Sequence, residues 1–271
     1  MSTQTARIPT RHPSILLRET LGSIAVLTLN RPEARNSLSE GLIAQLHAAL
    51  KDIHDDTNVR AVVIAANGPA FSAGRDLAGA EPGKEDAEAI LKTVFNPVIQ
   101  TIADFPAPTF AAVHGPCLGV GLGIALACDV VYVADDAKIG SPFARIGAVL
   151  DSGAHAFLVE RIGTHRTLEL VYTTRLVSGT EAVQMGIFNR AMPRDEVLVE
   201  LRKLAAQVAQ GPTTALMESK RLVRRIRDNK MGLLEVLAAE AKAQGIAGRT
   251  SDYREGITAF QEKRTPKFTG R

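Results

Sequence analysis

The longest stretch of this chain without Asp, Glu, Lys or Arg runs from Phe105 to Cys128. Its length is that of a bilayer span, but Pro106, Pro108, Pro116, His114 and four glycines interrupt it. Such punctuation divides the run into shorter elements. PTFAAVHG (108–115) reads as a strand and GVGLGIALAC (119–128) as a buried helix, with a loop between them. The segment is expected to be interior, with no membrane association.

The flanking sequence repeats the alternation. SILLRE (14–19) and SIAVLTLN (23–30) read as a β-hairpin. A helix follows, with Leu42, Leu46, Ala49, Leu50 and Ile53 at helical spacing and Ser39 as its N-cap. AVVIAA (61–66) is a short buried strand, and NGPAFSAGRDL (67–77) a loop. EPGKEDAEA (81–89) is a polar, mobile lead-in to a helix near 88–103. DVVYVAD (129–135) is another strand, followed by a short extended piece, AKIGS. Strands alternating with helices predict an α/β sheet. After about residue 155 the pattern predicts helices only: LVERIG, RTLELVYT, TEAVQMG and the longer segments beyond. Gly211-Pro212 sets the boundary between a core over 14–210 and a helical region over 211–271. Residues 1–13 contain no apolar signal segment and read as a flexible N-terminus.

With 32 basic and 29 acidic residues the net charge is +3, too balanced for a nucleic-acid binder. The two cysteines, Cys117 and Cys128, make neither a disulfide framework nor a metal cluster. A reducing, cytoplasmic setting is expected, with no metal site.

FSAGRDL and HGPCLGVGLG are glycine-containing loops that each follow a strand. Glycine lets backbone N–H groups approach a ligand, and a helix beginning near Val120–Gly121 would aim its positive end at the same spot. Two converging amides would hold an oxyanion. The plainer alternative is that these glycines serve tight turns and close helix packing. GVGLG does not meet the dinucleotide fingerprint, so a nicotinamide cofactor is not expected.

RPEARNSLS, FSAGRDL, HGPCLGVGLGIALACD and TAFQEKRTPKF, in this order, resemble the enoyl-CoA hydratase/isomerase (crotonase) superfamily, over about residues 14–268. The resemblance implies a spiral of ββα units with a C-terminal helical trimerisation region, packed as a trimer or a hexamer. It implies an acyl-CoA thioester as ligand, with CoA as part of the substrate and no other cofactor. The thioester oxygen would accept the main-chain N–H groups of Arg75 and Val120. Ala73, Asp76, Leu77, Gly119 and Phe143 would lie along the bound thioester. Arg35, with Lys263 and Phe268 from a neighbouring subunit's C-terminal region, would meet adenine and phosphates.

The departures from the pattern carry more information. A hydratase of the superfamily uses two glutamates, and the corresponding positions here are Gly123 and Phe143. Water addition needs a base for the water and an acid for the α-carbon, and neither residue can transfer a proton. Asp151, in GAVLDSGAHAF, resembles the acid of the ring-1,2-epoxyphenylacetyl-CoA isomerases in the same superfamily. One carboxylate suits isomerisation, since it can take a proton from C2 and return it to C4. Burial among Phe143, Val149, Leu150 and Phe157 would raise its pKa into a useful range. Asp151 could instead be only a helix N-cap. Asp76 is expected to order its loop, Asp129 to cap or start a strand, Arg145 to sit at the surface and Cys117 to pack. His114 and His155 have no recognisable partner and are given structural or rim roles. The alternatives to an isomerase are a hydratase in the broad sense and a non-catalytic acyl-CoA binding protein. Use of Asp151 as a nucleophile, as in 4-chlorobenzoyl-CoA dehalogenase, is disfavoured, because the chain has no Trp and residues 81–108 no His.

Overall fold

The computed structural model describes residues 14–81 and 83–271; the segment 1–13, expected to be flexible, lies outside the described residues. The hairpin forms as β1 (Leu16–Leu21) and β2 (Ile24–Leu29), and α1 (Glu40–Asp52) follows. The Ser39 hydroxyl caps α1 by accepting from the Leu42 amide. α1 turns Leu42, Ile43, Leu46, Ala49 and Leu50 inward, as its apolar spacing requires.

Next come β3 (Ala61–Ala66), α2 (Ala87–Ile90), a π-helical turn (Leu91–Phe95) and α3 (Asn96–Asp104). The uncharged run then supplies β4 (Thr109–Val113), β5 (Cys117–Leu118) and α4 (Val120–Ala127), followed by β6 (Val130–Ala134) and β7 (Ile139–Gly140). Every residue of β4 and α4 is buried, so neither element needs a polar face.

α5 (Ala154–Thr173) is two helical stretches joined at Gly163, whose φ of 76° breaks the helix. α6 (Gly179–Met185), β8 (Arg190–Met192), α7 (Val197–Ala209), α8 (Thr213–Asn229), α9 (Leu233–Ala247) and α10 (Ser251–Gln261) complete the chain. β8 corrects the expectation that strands cease near residue 155. It is three residues long and pairs in parallel with β6 at the sheet edge, too short to leave a periodic signal.

The main sheet has the order β1-β2-β3-β4-β6-β8. β1 is antiparallel to β2, and the remaining pairs are parallel. β5 and β7 form a second, two-stranded parallel sheet. Asp129 fixes the start of β6 to β4 by accepting from the Thr109 amide at 2.7 Å and its hydroxyl at 3.0 Å. It also pairs with Lys220 of α8 at 2.7 Å, and Lys220 donates to the Ala107 carbonyl, so α8 is tied to the sheet. α7 and α8 are separated by Gln210–Pro212, which contains the expected Gly-Pro break. No helix among the described residues is long and apolar enough to cross a membrane.

Candidate active site

Three loops build the site, and each is held by buried polar groups. Asn36 is fully buried. Its amide nitrogen donates to the Asn67 and Ala70 carbonyls, and its oxygen accepts from the Arg31 amide. The RPEARN turn is thereby fastened to the loop leading into FSAG. The Ser72 hydroxyl, also buried, donates to the Asn36 carbonyl and accepts from the Gly74 amide. Ser72 in turn pairs with the third loop, its amide donating to Pro116 and its carbonyl accepting from Leu118.

At this junction Gly74 (φ 94°) and Gly119 (φ 53°) face one another in left-handed conformations. A Cβ on Gly74 would stand 3.1 Å from the Leu118 carbonyl oxygen, so the close approach requires glycine. The neighbouring amides are spent within the protein: Gly74 on Ser72, Asp76 on the Leu38 carbonyl and Gly119 on the Gly140 carbonyl. The amides of Arg75 and Val120 donate to no protein acceptor among the described residues. Val120 is the first residue of α4, so the positive end of a buried helix lies behind its N–H.

Both residues line a cavity of about 930 Å³, at the upper end of the range for small-molecule sites. Ala73, Leu77, Gly119, Phe143 and Asp151 also line it. Two carboxylates border it. Glu88 is exposed and paired with Lys92, whereas Asp151 is half-buried. Burial is the largest influence on the Asp151 carboxyl and raises its pKa above the ordinary carboxylate value. A hydrogen bond from the Ser152 hydroxyl (2.8 Å), and the charges of Arg75 and His155, pull the other way. α5 has Gly153 as its N-cap and no side-chain cap, so the Asp151 carboxylate does not cap that helix.

Several expected details are corrected. Val149 is 76% exposed and forms part of the cavity wall instead of burying Asp151, whereas Leu150 and Phe157 are buried. Among the described residues of 78–88, Ala87 and Glu88 line the cavity, and the wall continues on Ile90, Leu91 and Phe95. His114 does have a partner, the Gly68 carbonyl at 2.8 Å.

Asp76 and Arg35 do not line the cavity. Asp76 pairs with Arg31 at 2.8 Å and accepts from the Ala78 amide, and these bonds hold its carboxyl below the usual range while ordering the loop. Arg35 contributes its carbonyl, which accepts from the Ala73 amide. Lys263 and Phe268 lie beyond α10, with the Phe268 ring against Gly256, away from this chain's own cavity. Cys117 and Cys128 are buried thiols with pKa values pushed up by burial.

The family model described as enoyl-CoA hydratase/isomerase matches residues 19–271. The chain belongs to that family. A relative from Rhodobacter capsulatus named "Probable enoyl-CoA hydratase" is 36% identical, covering 92% of this chain and 95% of that protein. The 1,2-epoxyphenylacetyl-CoA isomerase of Escherichia coli is 31% identical, again covering 92% of this chain and 95% of that protein. A crystal structure of an enoyl-CoA hydratase from Bacillus anthracis superposes with a TM-score of 0.88 at 28% identity, over 95% of this chain and all of that one. The architecture is therefore the crotonase fold, and hydratase is the commoner name among the relatives.

Proposed function

We propose that the chain is an acyl-CoA isomerase that moves a double bond, or rearranges a ring or epoxide thioester, through an enolate. One observation carries this reading: a half-buried Asp151 shares a cavity with the two unspent amides of Arg75 and Val120, and neither Gly123 nor Phe143 can carry a proton. The thioester oxygen accepts from the two amides, which draws electron density from C2. The Asp151 carboxylate removes a C2 proton from a 3-enoyl thioester. The C2–H electron pair enters the conjugated system, and the negative charge settles on the oxygen held by the amides. Asp151 then delivers the same proton to C4, the double bond lies between C2 and C3, and the product is an isomer of the substrate. No redox step or metal enters, and CoA arrives with the substrate. A raised carboxyl pKa suits a group that must both take and return a proton.

Arg35, with Lys263 and Phe268 of a neighbouring copy, is assigned to the CoA nucleotide, and a trimer or a hexamer is the proposed assembly. Val223, Leu233, Leu234 and Phe260 are between 66% and 83% exposed on the C-terminal helices, which supports their being covered by another copy.

The names of the relatives favour a second reading, hydration of 2-enoyl-CoA. Purified protein given a 3-enoyl-CoA should form the conjugated 2-enoyl-CoA, and given the 2-enoyl-CoA should form no 3-hydroxyacyl-CoA. Hydration without isomerisation would establish the second reading; tight thioester binding with neither reaction would indicate a binding protein.

A further inference from the structure

A second cavity, of about 220 Å³, adjoins the first and shares with it Phe143, Ala148, Val149 and Leu150. Its remaining wall is mostly aliphatic, including Leu122, Leu158, Leu170 and Val171, and the polar side chains on it are those of Ser141 and His155. Phe143 is the one aromatic residue among the four that face both spaces. The edge of its ring lies so close to Gly119 that a Cβ there would sit 2.7 Å from a ring carbon. The ring therefore rests on the loop that presents the Val120 amide, one residue from the proposed thioester oxygen site. Phe143 opens a short 3-10 turn, Phe143–Ile146, in which no residue is buried, and its ring packs against the edge of the core while remaining partly exposed.

We infer that the Phe143 ring is a movable partition and that the chamber behind it receives the distal end of the acyl group, a six-membered ring or a comparably compact branch. The inference rests on the thioester reading of the larger cavity. The volume sets the size class, because an apolar cavity of roughly 150 Å³ encloses one benzene molecule. A chamber half as large again takes a ring with one or two further carbons. The aliphatic lining gives the gain expected for burying apolar surface and offers almost nothing to a charged terminus. The site at Phe143 thus exchanges a proton carrier for a specificity element.

The test is binding of two unreactive saturated thioesters, acetyl-CoA and 3-phenylpropanoyl-CoA, to the full chain by calorimetry. The affinity ratio of the two ligands is the readout, since it cancels partial loss of folded protein. Val171→Phe and Leu170→Phe each fill the chamber from α5. Either should lower the ratio at least tenfold against the ring thioester, with acetyl-CoA affinity within about twofold of the parent. Phe143→Ala, which joins the spaces, should raise the ratio. Ratios within twofold of the parent in both filling variants would overturn the inference while leaving the thioester site standing. Failure of the parent chain to bind acetyl-CoA at all would remove the thioester reading itself.

Discussion

Gly123 of α4 lies against Ser152, so closely that a Cβ on residue 123 would stand 2.5 Å from the Ser152 Cβ and 2.6 Å from its carbonyl oxygen. The space beside residue 123 is thus filled by Ser152, the residue next to Asp151. Gly123→Ala should cost about 1–3 kcal/mol by overpacking, read as a lower urea midpoint. Gly123→Glu should not create a hydratase, because its side chain cannot enter without displacing the Asp151 loop. A stable Gly123→Glu protein with hydratase activity would contradict this packing.

Ser152 holds Asp151 through one hydrogen bond to the ionised carboxylate. Removing that donor in Ser152→Ala disfavours the charged form, so the already raised pKa rises further. The base must be ionised to accept the C2 proton. The acidic limb of the kcat/KM–pH profile should therefore move to higher pH, with a smaller change on the alkaline side. An unmoved acidic limb would show that Asp151 is not the group whose ionisation controls the rate.

Burial raises the Asp151 pKa above its unfolded value near 3.8, so the folded state binds more protons than the unfolded state between the two values. Stability then falls as pH rises through that window, and the loss persists at neutral pH. Asp151→Asn removes the charge and its desolvation. At pH 7 the variant should unfold at a higher urea concentration than the parent, and the gap should close as pH falls below the unfolded value. A variant less stable than the parent at pH 7 would mean that the carboxylate is held by stabilising partners beyond Ser152.

Val120 occupies the first position of α4, where proline is tolerated because its N–H has no partner within the helix. Val120→Pro deletes one amide hydrogen while leaving the helix start in a compatible conformation. Loss of one donor to a developing oxyanion lowers kcat by roughly 10²–10³-fold. Arg75→Ala keeps its main-chain donor and should cost far less, mainly by removing the positive charge near Asp151. Circular dichroism and urea midpoints separate these effects from unfolding.

The two glycine-bearing loops are legible in the sequence because a glycine-containing turn after a strand is a local signal, although that signal alone does not distinguish a ligand site from a tight turn. Asp151 stands out through the resemblance of GAVLDSGAHAF to the ring-1,2-epoxyphenylacetyl-CoA isomerases; the residues alone leave it open to a helix N-cap. What escaped was non-local. The contact of Gly123 with Ser152 joins residues on different elements, and no periodicity encodes it. Val149 looks like a core residue in sequence, yet it lines the cavity because the turn Phe143–Ile146 carries its segment out to the surface. The helical segment near 88–103 gives no sign in sequence that Ile90, Leu91 and Phe95 line a cavity, because a cavity wall and a protein interior demand the same apolar side chains.

The proposed reaction turns on Asp151 taking a proton from C2 of a thioester whose oxygen is held by the amides of Arg75 and Val120. The most direct measurement is incorporation of deuterium at C2 of bound thioesters in deuterated water, parent beside Asp151→Asn. The parent should exchange the C2 proton, and Asp151→Asn should do so roughly 10²–10⁴-fold more slowly, the usual contribution of a positioned acid–base group, while still binding the thioester. Exchange at the parent's rate in Asp151→Asn would contradict it.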